Sequence, residues 1–591
     1  MVVSACRIEN SDVTKRKMSN CQFRQTHRSG SDAKADIVQK TLVPVALLTL
    51  SAGVFAAQPP SAGGQIQQIP PSPTLEKIAP VIEVQQGQVP APAASGAARI
   101  EVNSLKLTGQ SLYSEAELLT VTGFTPGAQL NLGELQGMAA RIADFYHARG
   151  YFVAQAYLPA QTIEDGAVTI AVVEGRYGDI TLRNQTNLSN GLAQGLLDGL
   201  DSGEVIEQKP LENRLLLLSD LPGVNVKSTL VPGASVGAAD LIVDVTPGRR
   251  ITGSIDADNG GSYYTGEYRL GGTVHVNNLA GLGDVATLRV LSSFDGLDYA
   301  RAAYQLQLGK ATAGVAYSRL EYDLRKEFEA LGAEGTADIA SVFGSYPLIR
   351  SRQTNLYAQL GYDYKTFEDR YESIPAESDR NAKVVMASLH GNHRDDLGAG
   401  GLTVASLTWY SGEIDIETPE LRAVDALTAR SNGHFDKLSV NLMRVQQLND
   451  IVSLYGSISG QWAGENLDSS EKMYLGGMYG VRAYPQGEAF ADKGYLATLE
   501  ARVWLPAVSE QLPGEVHLIG FVDSGSVTLN ENPWDDGDNH RTLSGAGVGV
   551  NWTEYNNFSV KVSYAHRLGN EKATSAPDSS GHFWVQLVKY F

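Results

Sequence analysis

The sequence predicts a mostly β chain: a C-terminal sixteen-stranded antiparallel transmembrane β-barrel preceded by two small α+β domains. Three observations carry that reading. Of 591 residues, 61 are glycine and 26 tyrosine and only 19% are charged, yet the hydrophobic share stops at 43% and mean hydropathy is slightly negative. Barrel strands alternate lipid-facing apolar with lumen-facing polar residues and carry aromatic girdles, which produces such a mixture, whereas a helical membrane protein would be more apolar. Beyond Arg250 helix signals nearly vanish and segments of about ten alternating residues take over. The connections between those segments also sort by length, long ones on one side and tight turns on the other.

The chain opens with residues 1–57, read as a signal peptide. Leu42 to Ala57 is continuously apolar, follows Lys34 and Lys40, and ends in small residues that place cleavage near Ala56 or Ala57. The run is too short to span a bilayer as a helix. Both cysteines, Cys6 and Cys21, fall in this leader, so the mature chain has no thiol for a disulfide or a metal site. The leader carries eight Lys or Arg and four Asp or Glu, a net +4, so its removal takes the net charge from −19 to −23. An acidic chain of this kind excludes nucleic acid as a partner class.

Gln58 to Ala98 holds eight prolines among small residues and glutamines and reads as an extended, partly disordered linker. From Arg99 the texture changes. A strand (Arg99 to Thr108) leads to a short helix opened by Ser114, with Glu117 at capping-box spacing. A longer helix follows, in which Leu135, Met138, Ala139, Ile142, Phe145 and Tyr146 recur on one face, and then two strands, Tyr151 to Leu158 and Ala167 to Glu174. The same order repeats with a strand at Tyr177 to Arg183, a helix after Ser189, a helix at Leu211 to Leu221, and strands near Val226 to Val231 and Leu241 to Thr246. The two domains are thus 99–175 and 176–249, and the barrel is 250–591.

In the barrel, strands are expected near residues 251, 264, 283, 298, 312, 337, 353, 382, 400, 431, 451, 495, 515, 542, 557 and 582, an even number. The connections on the long side include Leu324 to Thr336, Glu368 to Asn381, Ile414 to Arg430, Asn466 to Gly494, Thr528 to Arg541 and Leu568 to Gly581, the third to the eighth loops of that side. Asp395 to Ala399 and Thr553 to Asn556 are tight turns on the other side. In the last strand Phe583, Val585, Leu587 and Phe591 share a face, interrupted by Lys589, whose stem can lie on the apolar band while its ammonium snorkels to water.

Four strings carry the function. Pro210 to Val224, P-L-E-N-R-L-L-L-L-S-D-L-P-G-V, is an amphipathic helix stopped by Pro222 and Gly223 and turned into a strand, with Leu230, Val231, Pro232, Gly233 and then Asp240, Leu241 beyond. Asn277 to Asp284, N-N-L-A-G-L-G-D, falls at the first tight turn of the barrel. Gly476 to Tyr495, G-G-M-Y-G-V-R-A-Y-P-Q-G-E-A-F-A-D-K-G-Y, lies in the sixth long loop, and Gly520 to Gly525, G-F-V-D-S-G, in the next strand but one. The tandem α+β units resemble POTRA domains, the periplasmic modules of the outer-membrane assembly and secretion superfamily. The strings resemble the haemolysin-activator family, the two-partner-secretion (type Vb) transporters, over roughly Arg99 to Phe591.

That resemblance implies an outer-membrane pore that recognises an unfolded secreted partner through periplasmic POTRA domains and exports it. It implies that the sixth loop inserts into the lumen. The family tip reads V-R-G-F or V-R-G-Y; here it is Val481, Arg482, Ala483, Tyr484, and alanine gives up the glycine's freedom to adopt positive φ. Arg482 is expected to pair with Asp523, which shares a face with His517, Ile519 and Phe521, through the planar fork that lysine lacks. Val481, Arg482, Tyr484, Phe521 and Asp523 are therefore the expected loop lock. Partner binding is expected on the POTRA strand bearing Tyr151, Val153, Gln155 and Tyr157, by backbone pairing, and Phe591 resembles the terminal aromatic read by the barrel-assembly machinery. A plug helix, frequent in the family, finds no helical pattern in Gln58 to Ala98.

The expected partners are a secreted protein with an N-terminal secretion domain, outer-membrane lipid, and the assembly machinery and periplasmic chaperones. No cofactor, metal or catalytic residue is expected. Gly545, Gly547 and Gly549 lack a nucleotide-loop context and read as small residues in a strand, and Asp535, Asp536 and Asp538 lack EF-hand spacing. The alternatives are an insertase that assembles other barrels, which shares the lumen loop, and a passive porin, which has no need of a POTRA pair.

Overall fold

The computed structural model describes residues 59–74, 81–84, 98–373 and 376–591; the expected signal peptide and its cleavage site lie outside the described residues. In the first α+β unit the strand expected from Arg99 is two, β2 (Ile100–Val102) and β3 (Ser104–Thr108), broken at Asn103. The helix Glu115–Thr122 starts where the Ser114 hydroxyl accepts from the Glu117 N–H (3.3 Å) and stops at left-handed Gly123. The reciprocal capping box sits one helix later, between Asn131 and Glu134, at the head of Leu132–His147. Leu135, Met138, Ala139, Ile142 and Tyr146 of that helix are buried against a three-stranded sheet, order β3-β6-β5, with β5 at Gln155–Tyr157 and β6 at Ala167–Val173.

The second unit repeats the order. It comprises β7 (Arg176–Asn184), helices Asn190–Leu197 and Gln208–Ser219, β8 (Val224–Pro232) and β9 (Ala238–Pro247). Leu211, Leu215, Leu217, Leu218 and Leu221, spaced to return to one helix face, are buried with Leu230, Leu241 and Val243 of the sheet. Gly223, at φ +71°, makes the turn from helix to strand, and no Cβ would fit there without pressing on Asn277. The two units meet tightly. The Ile206 and Gln208 N–H groups donate to the Gly175 and Gly150 carbonyls (2.9 Å each), and Phe152 and Val153 pack on the second unit's core. Beside this junction the buried Glu174 carboxylate accepts from Ser111, Leu112 and Tyr146. Burial opposes its charge, but those donors prevail and hold its pKa below the usual carboxylate range.

The linker differs most from expectation. Ala62–Gln67 is a helix, capped by the Ser61 hydroxyl, and Val81–Val84 is a strand, β1, that joins the second unit in the sheet order β1-β8-β9-β7. Sequence periodicity gives no sign of either, because both are fixed by partners far away in the chain.

The barrel is closed, with sixteen antiparallel strands from β10 (Ile251–Asp258) to β25 (Gly581–Tyr590). Fourteen begin within four residues of their expected place, the second begins five residues late at Arg269 and the eighth six residues early at Ala376. Two long loops are shorter than expected, because β15 (Ala333–Arg350), β16 (Thr354–Tyr371) and β17 (Ala376–Asp395) run well past the other strands. Their charged outer ends read as loop, yet Glu368, Asp369 and Arg370 pair in register with Asp379, Ser378 and Glu377. The seam between β10 and β25 runs from Ser254 opposite Tyr590 to Asp258 opposite Gln586, and Phe591 extends it by exchanging backbone bonds with Gly253 (3.1 and 3.0 Å). Gly253 also makes room for the Phe591 ring, since a Cβ there would lie 2.6 Å from ring Cζ.

The second unit is fastened to the short-turn rim at two places. Asp220 accepts both arms of the Arg350 guanidinium (2.7 and 2.8 Å) beside the β15–β16 turn. At the β11–β12 turn, with β11 at Arg269–Asn277 and β12 at Val285–Ser292, the Ser189 N–H donates to the Gly281 carbonyl (2.8 Å) and Asn187 bonds Asn278. That turn is the N-N-L-A-G-L-G-D string, and Asp284 closes it by accepting from the Ala280 and Leu282 N–H groups.

Candidate functional site in the barrel lumen

The sixth long loop joins β20 (Val452–Ala463) to β21 (Lys493–Trp504) and folds back on itself inside the barrel. Met473 and Ala491 bridge its two limbs, and at the tip the Val481 N–H donates to the Leu475 carbonyl (2.7 Å). This compact turn leaves Val481, Ala483 and Tyr484 buried and projects Arg482 at the wall.

Arg482 Nε and Nη2 each donate to an oxygen of Asp523 at 2.8 Å, and its own backbone N–H adds a third bond to that carboxylate (3.2 Å). Asp523 lies on β22 (Glu515–Thr528), is wholly buried and also accepts from Thr498 Oγ1 (2.9 Å). The guanidinium stacks 3.4 Å above the Phe521 ring, and its remaining arm reaches Glu500 Oε1 at 2.8 Å. Glu500, on β21, is also bound by Arg502 (2.6 Å). Sequence reasoning missed Glu500: neither motif contains it, and only the register that sets Glu500 opposite Phe521 brings it near.

The alanine at the tip is accommodated without positive φ. Its methyl occupies space left by Gly545 on β23 (His540–Glu554), where an added Cβ would come within 2.4 Å of Ala483 Cβ. Gly547 leaves space in the same way for the Phe521 ring. Two glycines of the G-x-G-x-G run are thus the flat floor on which the loop tip and Phe521 rest.

A second set of charges holds the ascending limb of the loop against a different part of the wall. Glu471, 1% exposed, lies between Lys365 Nζ on β16 (2.6 Å) and Lys437 Nζ on β19 (Gly433–Gln447; 2.8 Å). Lys437 and Gln461 also donate to the Glu471 carbonyl. Asp468 pairs with Arg380 of β17, which in turn binds Asp369 (2.7 Å). On the descending limb Glu488, wholly buried, accepts from the backbones of Thr574 and Ser575 in the eighth long loop (2.8 Å each) and pairs with Arg541. Tyr484 donates to the Glu571 carbonyl of that same loop (3.1 Å).

The helix Ala62–Gln67 lies in this assembly. The Ala62 N–H donates to Asp369 (2.7 Å), Ser61 bonds Ser469 (2.8 Å), and Arg269 reaches the Gln68 carbonyl (3.2 Å). Towards the short-turn rim the lumen opens into a cavity of about 440 Å³ lined by Asn441, Tyr455, Arg482, Glu500, Arg502 and Lys561. Chemically the site is a loop held to the barrel wall by buried ion pairs, with a helix hydrogen-bonded to the same wall and loop.

The residues expected to bind the partner are divided by the structure. Gln155 and Tyr157 lie on the edge strand β5, but β5 is only three residues long. Tyr151 belongs to an aromatic cluster with Tyr113 and Tyr146, and Val153 is turned against Gly175 and the second unit. Phe591 is at the seam, half exposed.

Residues 237–552 match the family model of haemolysin secretion/activation proteins, ShlB/FhaC/HecB, and residues 100–175 match the ShlB-type POTRA domain. The heme/hemopexin transporter protein HuxB of Haemophilus influenzae is 30% identical over 501 residues, covering 83% of this chain and 86% of that protein. The outer membrane transporter CdiB of Dickeya dadantii is 25% identical over 71% of this chain and 74% of its own. Among solved structures, CdiB from Escherichia coli superposes with a TM-score of 0.63 at 21% identity, over 86% of this chain and 93% of that one. A BamA structure from Haemophilus ducreyi lacking POTRA domains 1–3 has the same fold at TM-score 0.52 and 14% identity, over 83% of this chain and all of that one.

Proposed function

The chain belongs to the haemolysin secretion/activation protein family, and from that premise we propose how its residues share the work of export. It is an outer-membrane transporter for a secreted partner protein, with its barrel in the outer membrane and its POTRA domains in the periplasm. The partner carries an N-terminal secretion domain that the POTRA pair captures in an extended state, and it leaves through the lumen. Arg482, Asp523 and Phe521 form the lock of the sixth loop, with Val481 and Tyr484 as its packed shoulders. The observation that carries this role is a loop arginine shared between two buried wall carboxylates, Asp523 and Glu500. Gln155 and Tyr157 remain available for backbone pairing with the partner, while Tyr151 and Val153 serve the fold.

Phe591 serves as the signal to the barrel-assembly machinery, to which periplasmic chaperones deliver the unfolded chain, and then closes the seam over Gly253 in a lipid environment. An insertase shares the lumen loop and the barrel fold, but the better-matched relatives are transporters.

The two readings separate in one experiment. Deleting the gene in its host and comparing the culture medium with the outer-membrane fraction is expected to remove one large protein from the medium and leave other barrels at parental levels. Depletion of several outer-membrane barrels instead would overturn the export reading in favour of the insertase.

A further inference from the structure

A lysine and a glutamate stand on the outer face of the barrel beside its closing seam. There two rows of outward side chains run from β10 across β25 and β24 (Phe558–Arg567) to β23, as the strand registers set them. The row nearer the short-turn rim is Ile255, Lys589, Phe558 and Glu554; the next is Ala257, Leu587, Val560 and Trp552. Ile255 and Leu587 are about half exposed, whereas the alternate residue Asp256 is buried and bonds Arg289 in the lumen. The two rows enclose a groove of about 430 Å³ whose walls are apolar but for Lys589. Trp552 is pinned by its Nε1–H, which donates to the Pro513 carbonyl (2.7 Å), and Phe558 meets it edge-on with ring centroids 4.8 Å apart. The groove is therefore preformed.

Its charges lie together at the rim end. Lys589 Nζ donates to Asn557 Oδ1 in the β23–β24 turn, and Asn557 Nδ2 donates to Glu554 Oε2, so one amide side chain stands between the cation and the anion. The ammonium has three N–H donors and the carboxylate two acceptor oxygens, so both keep bonding capacity for a ligand. A cation and an anion one amide apart, at the mouth of an apolar groove, complement a zwitterion that carries a hydrocarbon tail.

We infer that this groove seats one phosphatidylethanolamine molecule of the periplasmic leaflet. Lys589 donates to its phosphate, Glu554 accepts from its ammonium, and an acyl chain lies over Leu587, Val560 and Trp552. Both polar contacts are charge-assisted, and they are stronger at the edge of hydrocarbon than in water. Phosphatidylglycerol offers Glu554 no cation, and phosphatidylcholine has no N–H to donate. The seat also spans the seam. β10 and β25 share five paired residues, against eight between β10 and β11 and nine between β24 and β25. A lipid held by Ile255 and Ala257 on one side and by Leu587 and Lys589 on the other binds only the closed barrel, and so stabilises it by mass action. This concerns the barrel wall and does not depend on what passes through the lumen.

The test uses the full-length protein, purified in mild detergent, stripped of lipid and titrated with phosphatidylethanolamine, phosphatidylglycerol or phosphatidylcholine of one acyl composition. Native mass spectrometry should show one phosphatidylethanolamine retained by the parent, about tenfold more tightly than either other lipid, the worth of one hydrogen bond to a charged group. Lys589→Gln should lose that retention. Glu554→Gln should instead turn the preference towards phosphatidylglycerol, because a cation then stands alone beside the groove; a merely structural role for Glu554 would not invert a preference. Equal retention of the three lipids by the parent, or an unchanged preference in Glu554→Gln, overturns the site. Water-soluble glycerophosphoethanolamine at equal concentration should fail to displace the lipid; displacement would mean that the headgroup alone is bound and that the groove is no lipid seat. Phosphatidylethanolamine should also raise the temperature at which the heat-modifiable barrel unfolds in the parent but not in Lys589→Gln, and the absence of any rise in the parent would refute the bracing of the seam.

Discussion

Arg482→Ala is expected to abolish export of the partner while leaving the amount of folded barrel unchanged. The side chain is 13% exposed, and its two acceptors, Asp523 and Glu500, are 0% and 7% exposed, so water does not replace the guanidinium when it is removed. Stripping one partner from a buried ion pair costs about 3–5 kcal/mol, because the other charge is stranded, and here two carboxylates are stranded together. At about 1.4 kcal/mol per decade, the fraction of molecules with a correctly seated loop falls by at least about a hundredfold. Arg482→Lys should rescue poorly: an ammonium cannot meet both oxygens of Asp523, reach Glu500 and stack 3.4 Å above Phe521 at once. Secreted partner at matched barrel levels gives the readout, and a double-mutant cycle with Asp523→Ala gives the coupling. Because Glu500 keeps a hold on Arg482 when Asp523 is gone, the coupling should be large but incomplete. Simple addition of the two losses would mean that the pair does not seat the loop.

The second large effect is expected at Glu471→Ala, a residue outside the V-R-A-Y tip. Lys365 and Lys437 converge on that carboxylate from 2.6 and 2.8 Å and are themselves 11% and 8% exposed, so the substitution leaves two buried ammoniums facing each other. The penalty is again about 3–5 kcal/mol, with like-charge repulsion added. The ascending limb of the loop should come away from β16 and β19 while Arg482 still holds the tip. Added protease should then cut near Glu471 in intact cells that spare the parent. Adding Lys437→Met to Glu471→Ala should restore part of the protection, since a single remaining lysine has no like charge beside it. A loop as resistant as the parental one in Glu471→Ala cells would show that this cluster does not anchor it.

The strand ladder was legible because alternation with period two recurs along the barrel strands, broken on β15 at the shift between Pro347 and Ile349, and owes nothing to distant partners. Strand ends were harder. The outer ends of β15 to β17 carry Glu368, Asp369, Arg370, Glu377 and Arg380, and only their cross-strand and loop partners, such as Asp369 with Arg380, distinguish a charged strand from a charged loop. Arg482 and Asp523 could be joined in advance only through the family strings. Lys365, Lys437 and Glu471 lie far apart in sequence in no recognisable motif, so nothing but the closed barrel brings them together. The helix Ala62–Gln67 has two glycines and no periodic face, and it exists because Ser61 caps it and Asp369 takes its first N–H. The strand expected from Tyr151 shrank to Gln155–Tyr157 because Phe152 and Val153 turn to the second unit, a contact that a reading of one domain at a time cannot anticipate.

Passage of the partner through the barrel is tested most directly by stalling its export and mapping what it touches. A photo-crosslinking residue at Asn441 or Tyr455, which line the lumen cavity, should capture the stalled partner. The same residue at Leu499 or Val548, exposed on the lipid-facing side of their strands, should capture none. Crosslinks confined to Leu499 and Val548, with the lumen positions silent, would contradict export through the pore.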